Sequence, residues 1–332
     1  MIDNVLSMVC IAGILSGGGV WLTLRLLRPP REPARIALSS AEADRKQLLR
    51  DLTRALANGE IYLAYQPKLQ LRSSEVEGVE ALLRWYHPTL GMVSRELLIP
   101  LVESEGRIRE LTIWVLRQAL IDQRRLAAGG HIVSVHINVS AGLLADTAFV
   151  QEVCALTDSP CGGIGLEITE TVFIENSVVA MASLKRLIEQ GIAISIDDYG
   201  SGMSSLAYLK ELPANELKID KMFISGMTSS HRDPLIVRST IDLAHALGLK
   251  VVAEGVESEA VLALLRVMGC DMAQGFLICP AVAIGALETF LGAGGYQVAA
   301  VSEPPSLDRP QAFWTRTVRE PRAPAPAIAA NN

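Results

Sequence analysis

Hydrophobic and polar positions change rhythm three times along the chain. Val5–Leu24 is a run of twenty residues without a charge, enough to cross a hydrocarbon core of roughly 30 Å at helical rise. From Ser39 to Asn58-Gly59 the pattern is that of one amphipathic helix. A Ser39/Glu42 capping box opens it, and Leu48, Leu49, Leu52 and Leu56 share one face. After Tyr296 the apolar period is lost in a stretch rich in Pro and Ala, which predicts a disordered tail.

Between helix and tail, strand-like and helix-like stretches alternate. Tyr62–Leu69 and Val76–Leu82 read as strands separated by the polar turn Arg72-Ser73-Ser74. So short a link makes an antiparallel hairpin, because parallel neighbours need a crossover. Apolar runs follow at Ile132–Val139, Ile164–Ile168, Ile192–Ile196, Glu216–Ile219, Leu249–Ala253 and near Met272, with helices expected at Arg107–Ala128, Ser177–Gln190, Pro234–Leu247 and Glu259–Met268. This rhythm predicts an α/β fold, a TIM-type (β/α)8 barrel whose first strand is antiparallel, preceded by one N-terminal transmembrane helix. The expected organisation is an anchor over 1–28, a stiff Pro-rich linker over 29–38, a catalytic body over 39–295 and a tail over 296–332, with no room for a further domain between anchor and body.

Flanking charge orients the anchor. Arg25, Arg28, Arg31 and Arg35 follow the apolar run, so the positive-inside rule places the body in the cytoplasm, at a bacterial inner membrane. A cleaved signal peptide would need a basic start and a small-residue cleavage site, and neither is present. Gly13 and Gly17 form a G-x-x-x-G pair that would let two anchors pack closely. The net charge of −6 argues against a nucleic-acid polymer as partner. Five cysteines without a C-x-x-C pair fit reduced thiols.

The apolar runs stop at polar residues: Glu80, Asn138, Glu167, Asp197, Lys218 and Glu254, with Gln274 after the last. In a (β/α)8 barrel the C-terminal strand ends gather at one face, where catalysis occurs. Taken singly, each carboxylate reads as a helix cap or surface turn. Together they predict one mouth crowded with acids, Asp198 beside Asp197 included. Such crowding calls for protons or for hard divalent cations with oxygen ligands.

The residues also carry a resemblance. Tyr65-Gln66-Pro67, Glu80-Ala81-Leu82-Leu83-Arg84-Trp85 with His87-Pro88, Asn138-Val139-Ser140, Leu166-Glu167-Ile168-Thr169-Glu170, Asp197-Asp198-Tyr199-Gly200-Ser201-Gly202, Lys218-Ile219-Asp220, Ala253-Glu254-Gly255-Val256-Glu257 and Gln274-Gly275 stand in the order found in EAL domains. The chain resembles that family from about residue 45 to residue 292. The resemblance implies a phosphodiesterase that cuts cyclic di-GMP to linear pGpG with two Mg²⁺ or Mn²⁺ ions, Ca²⁺ being inhibitory, and that works as a homodimer. It implies Glu80, Asn138, Glu167, Asp197, Asp198 and Glu254 as metal ligands, with Glu254 either ligand or general base. Lys218 would steady the attacking water, Arg84 would hold a substrate phosphate, and Gln66 and Gln274 would place substrate. Glu170, Asp220 and Glu257 match residues that anchor a mobile loop or stand behind the site. Met203 replaces an aromatic usual in that loop. The alternative reading is a catalytically silent EAL module that binds cyclic di-GMP or a protein.

Overall fold

The computed structural model of the chain describes residues 42–157, 163–169, 178–200 and 206–296. The expected anchor, the capping box at Ser39, the tail, Glu170 and the loop 201–205 lie outside them. Among the described residues no helix is long and apolar enough to cross a membrane.

Helix α1 (Glu42–Asn58) buries Leu48, Leu52 and Ala55. His87 Nε2 donates to Asp51 Oδ2 at 3.0 Å, and Arg107 Nη1 donates to the Leu49 carbonyl at 3.1 Å, so α1 is tied to the body by polar contacts as well as leucines. Strand β1 (Ile61–Gln70) turns back into β2 (Val76–His87), with Tyr65 opposite Ala81 and Gln66 opposite Glu80. A short β3 (Gly91–Val93) adds to β2, and helices α2 (Arg95–Ser104) and α3 (Ile108–Ala128) lead to β4 (Ser134–Asn138). The βα rhythm then runs through α4 (Thr147–Leu156), β5 (Ile164–Thr169), α5 (Val178–Glu189), β6 (Ala193–Tyr199), α6 (Leu206–Glu211), β7 (Glu216–Ile219), α7 (Lys221–Ser225) and α8 (Asp233–Ala246). It ends with β8 (Lys250–Ala253), α9 (Glu259–Val267), β9 (Met272–Ala273), β10 (Val282–Ala283) and α10 (Ile284–Gly292).

Strands β2 and β4 to β9 pair in parallel, and β1 closes the ring antiparallel to both β2 and β9. The eight-stranded barrel with a reversed first strand is therefore present. The strand-end expectation needs correction. β2 runs on past Glu80 to His87, β5 past Glu167 to Thr169, and β6 past Asp197 to Tyr199. The reason is alternation. Successive strand residues face opposite sides of the sheet, so an inward polar residue does not end a strand. Val135 and Ile137, Leu166 and Ile168, Ile194 and Ile196, and Leu217 and Ile219 are all buried on the helix side. His136, Glu167, Ser195, Glu216 and Lys218 stand between them and point into the barrel. Most barrels of this architecture fill their interior with Val, Ile and Leu. Here the core is the layer between strands and helices, and the interior is polar.

Candidate active site

The C-terminal ends of the parallel strands gather near one mouth, and the inward residues there converge on Lys218. Its ammonium is 2.6 Å from Glu167 Oε2, 2.6 Å from Glu254 Oε1, 2.9 Å from Asp197 Oδ1 and 3.5 Å from Glu80 Oε2. Asn138 Nδ2 donates to Glu80 Oε1 at 2.8 Å, and Gln274 Nε2 donates to Glu80 Oε2 at 2.7 Å and to Gln66 Oε1 at 3.0 Å. Gln66 Nε2 in turn reaches the Cys279 carbonyl at 3.2 Å. Residues spread over two hundred positions of sequence thus meet in one hydrogen-bonded group.

Asp198 joins this group through a backbone irregularity. In a regular strand it would face away from Asp197. The pairing of β6 with β7 slips between Ile196 and Tyr199, and Asp198 adopts φ +54°, a left-handed conformation that Asp tolerates better than most residues. Such bulges re-aim side chains beside active sites. Ligand oxygens of Asp197, Asp198 and Glu254 consequently lie within 4.8 Å of one another.

Electrostatics separate the acids into two kinds. Burial raises Glu167, but the Lys218 and Lys68 charges outweigh it and hold that carboxyl down to about 2. Burial, with the neighbouring acids and against the pull of Lys218, pushes Asp197 and Glu254 up. Burial and then the Asp220 charge push Asp198 up as well. Four contacting carboxylates hold Lys218 well above its ordinary value despite burial, so it stays charged. The cluster therefore has more negative charge than one ammonium can neutralise. Its donors are carboxylate oxygens plus the amide of Asn138, the chemistry that hard divalent cations prefer. Side-chain exposures of 11% for Asp197 and 19% for Glu254 leave an approach from the mouth. Gln274 Oε1 is buried without a donor among the described residues. These residues fit a divalent cation.

A deeper group, His136, Glu167 and Glu216, also brings ligand atoms within 4.8 Å. There the Lys68 ammonium sits among all three, 2.7 Å from Glu216 and 2.8 Å from Glu167, and all three side chains are closed off from the mouth. Lys68, His136, Ser195 and Glu216 went unnoticed in the sequence. Their signal was spacing: His136, Ser195 and Glu216 each stand two residues before a site residue on the same strand face.

The EAL-domain family profile matches residues 49–281. The chain belongs to the EAL-domain family. This EAL domain is 41% identical over 257 residues to the cyclic di-GMP phosphodiesterase NbdA of Pseudomonas aeruginosa, a match that covers 76% of the chain and 33% of the relative. The chain thus spans about a third of that relative's length. The solved complex of the PaMucR phosphodiesterase with c-di-GMP superposes with a TM-score of 0.68 at 39% identity, covering 73% of this chain and 99% of that one. The EAL domain of Mycobacterium smegmatis DcpA gives a TM-score of 0.60 at 34% identity, covering 72% and 99%.

Not every expected residue of the EAL domain meets at Lys218. Arg84 lies four residues beyond Glu80 on the same face of β2, beside Leu82 and below the exposed Tyr86, with Tyr62 opposite it. It stands on a hairpin wall above the cluster, where Arg84 Nη1 donates to the Leu83 carbonyl at 3.0 Å. Asp220 caps α7 by accepting from the Met222 amide at 2.6 Å, and it neighbours Asp198. Glu257 is exposed in the segment between β8 and α9 and has no ion-pair partner among the described residues. It lies past the end of β8, three residues beyond Glu254, with its side chain open to solvent.

Proposed function

We propose that this chain hydrolyses cyclic di-GMP to linear pGpG at the mouth of its barrel. The observation that carries the reading is the charge of the cluster. Glu80, Glu167, Asp197, Asp198 and Glu254 surround one ammonium, which leaves four negative charges uncompensated if all are ionised. A phosphodiester would be repelled from such a mouth unless cations intervene, and two divalent ions supply the missing charge. Mg²⁺ or Mn²⁺ would be held by Glu80, Asn138, Glu167, Asp197, Asp198 and Glu254, and would supply an acidified water and charge stabilisation for in-line displacement.

The chain's own residues do the rest. Lys218 is charged and centred, so it steadies negative charge that develops at the attacked phosphate. Gln274 and Asn138 fix the Glu80 carboxylate by donating to both its oxygens. Glu254, whose pKa is raised and which is open to the mouth, is suited to accept a proton from the attacking water. Arg84 on the hairpin wall offers a donor fork to the substrate's second phosphate, and Gln66 stands between that wall and Gln274.

The full chain with Mg²⁺ or Mn²⁺ is expected to release pGpG from cyclic di-GMP, and Glu80→Ala is expected to release none. Binding without cleavage by the wild type would replace the hydrolase with a receptor of the same dinucleotide. We also propose that Val5–Leu24 tethers the chain to an inner membrane with the barrel cytoplasmic, and that it works as a homodimer. A chain found wholly in the soluble fraction, or monomeric with metal and substrate, removes those two points.

A further inference from the structure

Beneath the acid cluster lies a second polar layer that no step above uses. Its centre is Lys68 on β1, 1% exposed. A lysine ammonium has three donors and no acceptor. In Lys68 two go to Glu216 Oε1 at 2.7 Å and His136 Nδ1 at 3.1 Å, and the ammonium stands 2.8 Å from Glu167 Oε1 as an ion pair outside hydrogen-bond geometry.

The partners are fixed in turn. His136 Nδ1 has to accept from Lys68, so the ring is neutral and carries its proton on Nε2, which donates to Ser134 Oγ at 3.2 Å. Burial and then the Lys68 charge hold His136 down to about 4, in keeping with a neutral ring. Ser195 Oγ donates to Glu216 Oε1 at 2.9 Å. Room for the imidazole is left by Gly165, where a Cβ would stand 2.3 Å from His136 Nδ1. Glu216 balances the charge of Lys68, so the layer is neutral and leaves the charge of Glu167 to the cluster above.

We propose that Lys68 is a positioning residue for the divalent-cation site. It pins Oε1 of Glu167 from below, so that only Oε2, the oxygen now facing Lys218, is offered to a cation. Glu216 and His136 hold Lys68 in that place. The inference rests on the hydrolase reading for the presence of a cation, and it makes a prediction of definite sign. Simple electrostatics says that removing a positive charge beside a cation site tightens binding. Positioning says that removing Lys68 weakens it. The double variant Lys68→Met/Glu216→Gln separates the two, because it deletes an ion pair and leaves the net charge unchanged.

The test is Mn²⁺ titration of the metal-free full chain, followed by the electron-paramagnetic signal of free Mn²⁺, with circular dichroism as the check on folding. The double variant is expected to bind Mn²⁺ weaker by on the order of tenfold to a hundredfold, the usual consequence of losing a residue that orients a ligand. Folded protein with unchanged or tighter binding overturns the proposal. If that variant does not fold, His136→Leu carries the test, since it removes one anchor of Lys68 and no charge. Several-fold weaker binding is then expected, and unchanged binding overturns the proposal. A wild type that binds no Mn²⁺ ends both this inference and the hydrolase reading, whereas a binding wild type with an unaffected variant ends only this one.

Discussion

Removing divalent cations should make the protein less stable as pH rises from about 7 to 8, at the upper end of the range where folded proteins are usually most stable. The cause is Glu254. Burial, reinforced by the Asp197 and Glu80 charges and opposed by Lys218, pushes its carboxyl up to about 8 from 4.5. The folded chain then holds a proton that the unfolded chain has already released. A native state that binds more protons loses stability as pH rises, at ~1.4 kcal/mol per pH unit for a full proton. Glu254 keeps 19% side-chain exposure and shares Lys218 with Asp197, so about 1 kcal/mol over that unit is the expected size. For a domain of this length that is about 2–4 °C in melting temperature. Other groups drop out of the interval. His136, held down to about 4, is neutral in the folded chain, and at an unfolded value of about 6.5 it is mostly neutral by pH 7, so its opposing contribution is small. Glu167, held down to about 2, is ionised in both. The assay is thermal melting in EDTA at constant ionic strength, repeated with Mn²⁺ and with Glu254→Gln. The fall should vanish in both repeats, since an ion replaces the proton in one and no carboxyl remains in the other. A metal-free melting temperature that is flat or rises over the interval would refute the reasoning.

Three further outcomes follow from particular contacts. Gly165→Ala forces a methyl against His136 and should destabilise the fold by about 1–3 kcal/mol, an effect that His136→Ser in the same chain should largely reverse in a denaturant melt. Tyr65→Phe removes the buried donor to Asp122 Oδ2 at 2.6 Å and should cost about 2 kcal/mol of stability. Its turnover, measured well below the melting point, should stay near wild type because Tyr65 faces α3 rather than the mouth. Gln274→Ala strips Glu80 Oε2 of its amide donor, and pGpG release should drop on the order of tenfold or more with the melting curve little changed; equal turnover would show that Lys218 and Asn138 suffice to orient Glu80.

Much of the cluster is legible in the sequence because its residues stand in ordered motif blocks, and because the hairpin link at Arg72-Ser73-Ser74 forces an antiparallel start. The lower layer was not readable for a physical reason. A strand alternating apolar with polar residues ordinarily turns the polar ones to water. Ser134-Val135-His136-Ile137-Asn138 and Glu216-Leu217-Lys218-Ile219 invert that rule, since their apolar side meets helices and their polar side meets a closed interior. Helices α2 and α4 escaped notice too: α2 is short and carries Pro100 inside it, which blurs the helical signal, and the brief α4 is capped by Asp146. Asp198 was placed beside Asp197 by adjacency alone, and the bulge that turns both carboxylates the same way has no signature in residue type.

The reversed first strand has a bearing on how the protein is made. Gln66, near the beginning of the barrel, is bonded to Gln274 and to the carbonyl of Cys279, near its end. While a ribosome still holds the final strand, the ring stands open and its acid-lined interior faces water with no Gln274 to steady Glu80. Such long-range closure is slow relative to local folding. The nascent chain therefore acquires its chemistry in one late event, when the last strand slots beside the first, and a chain cut short before Met272 should inherit neither partial activity nor a partial site.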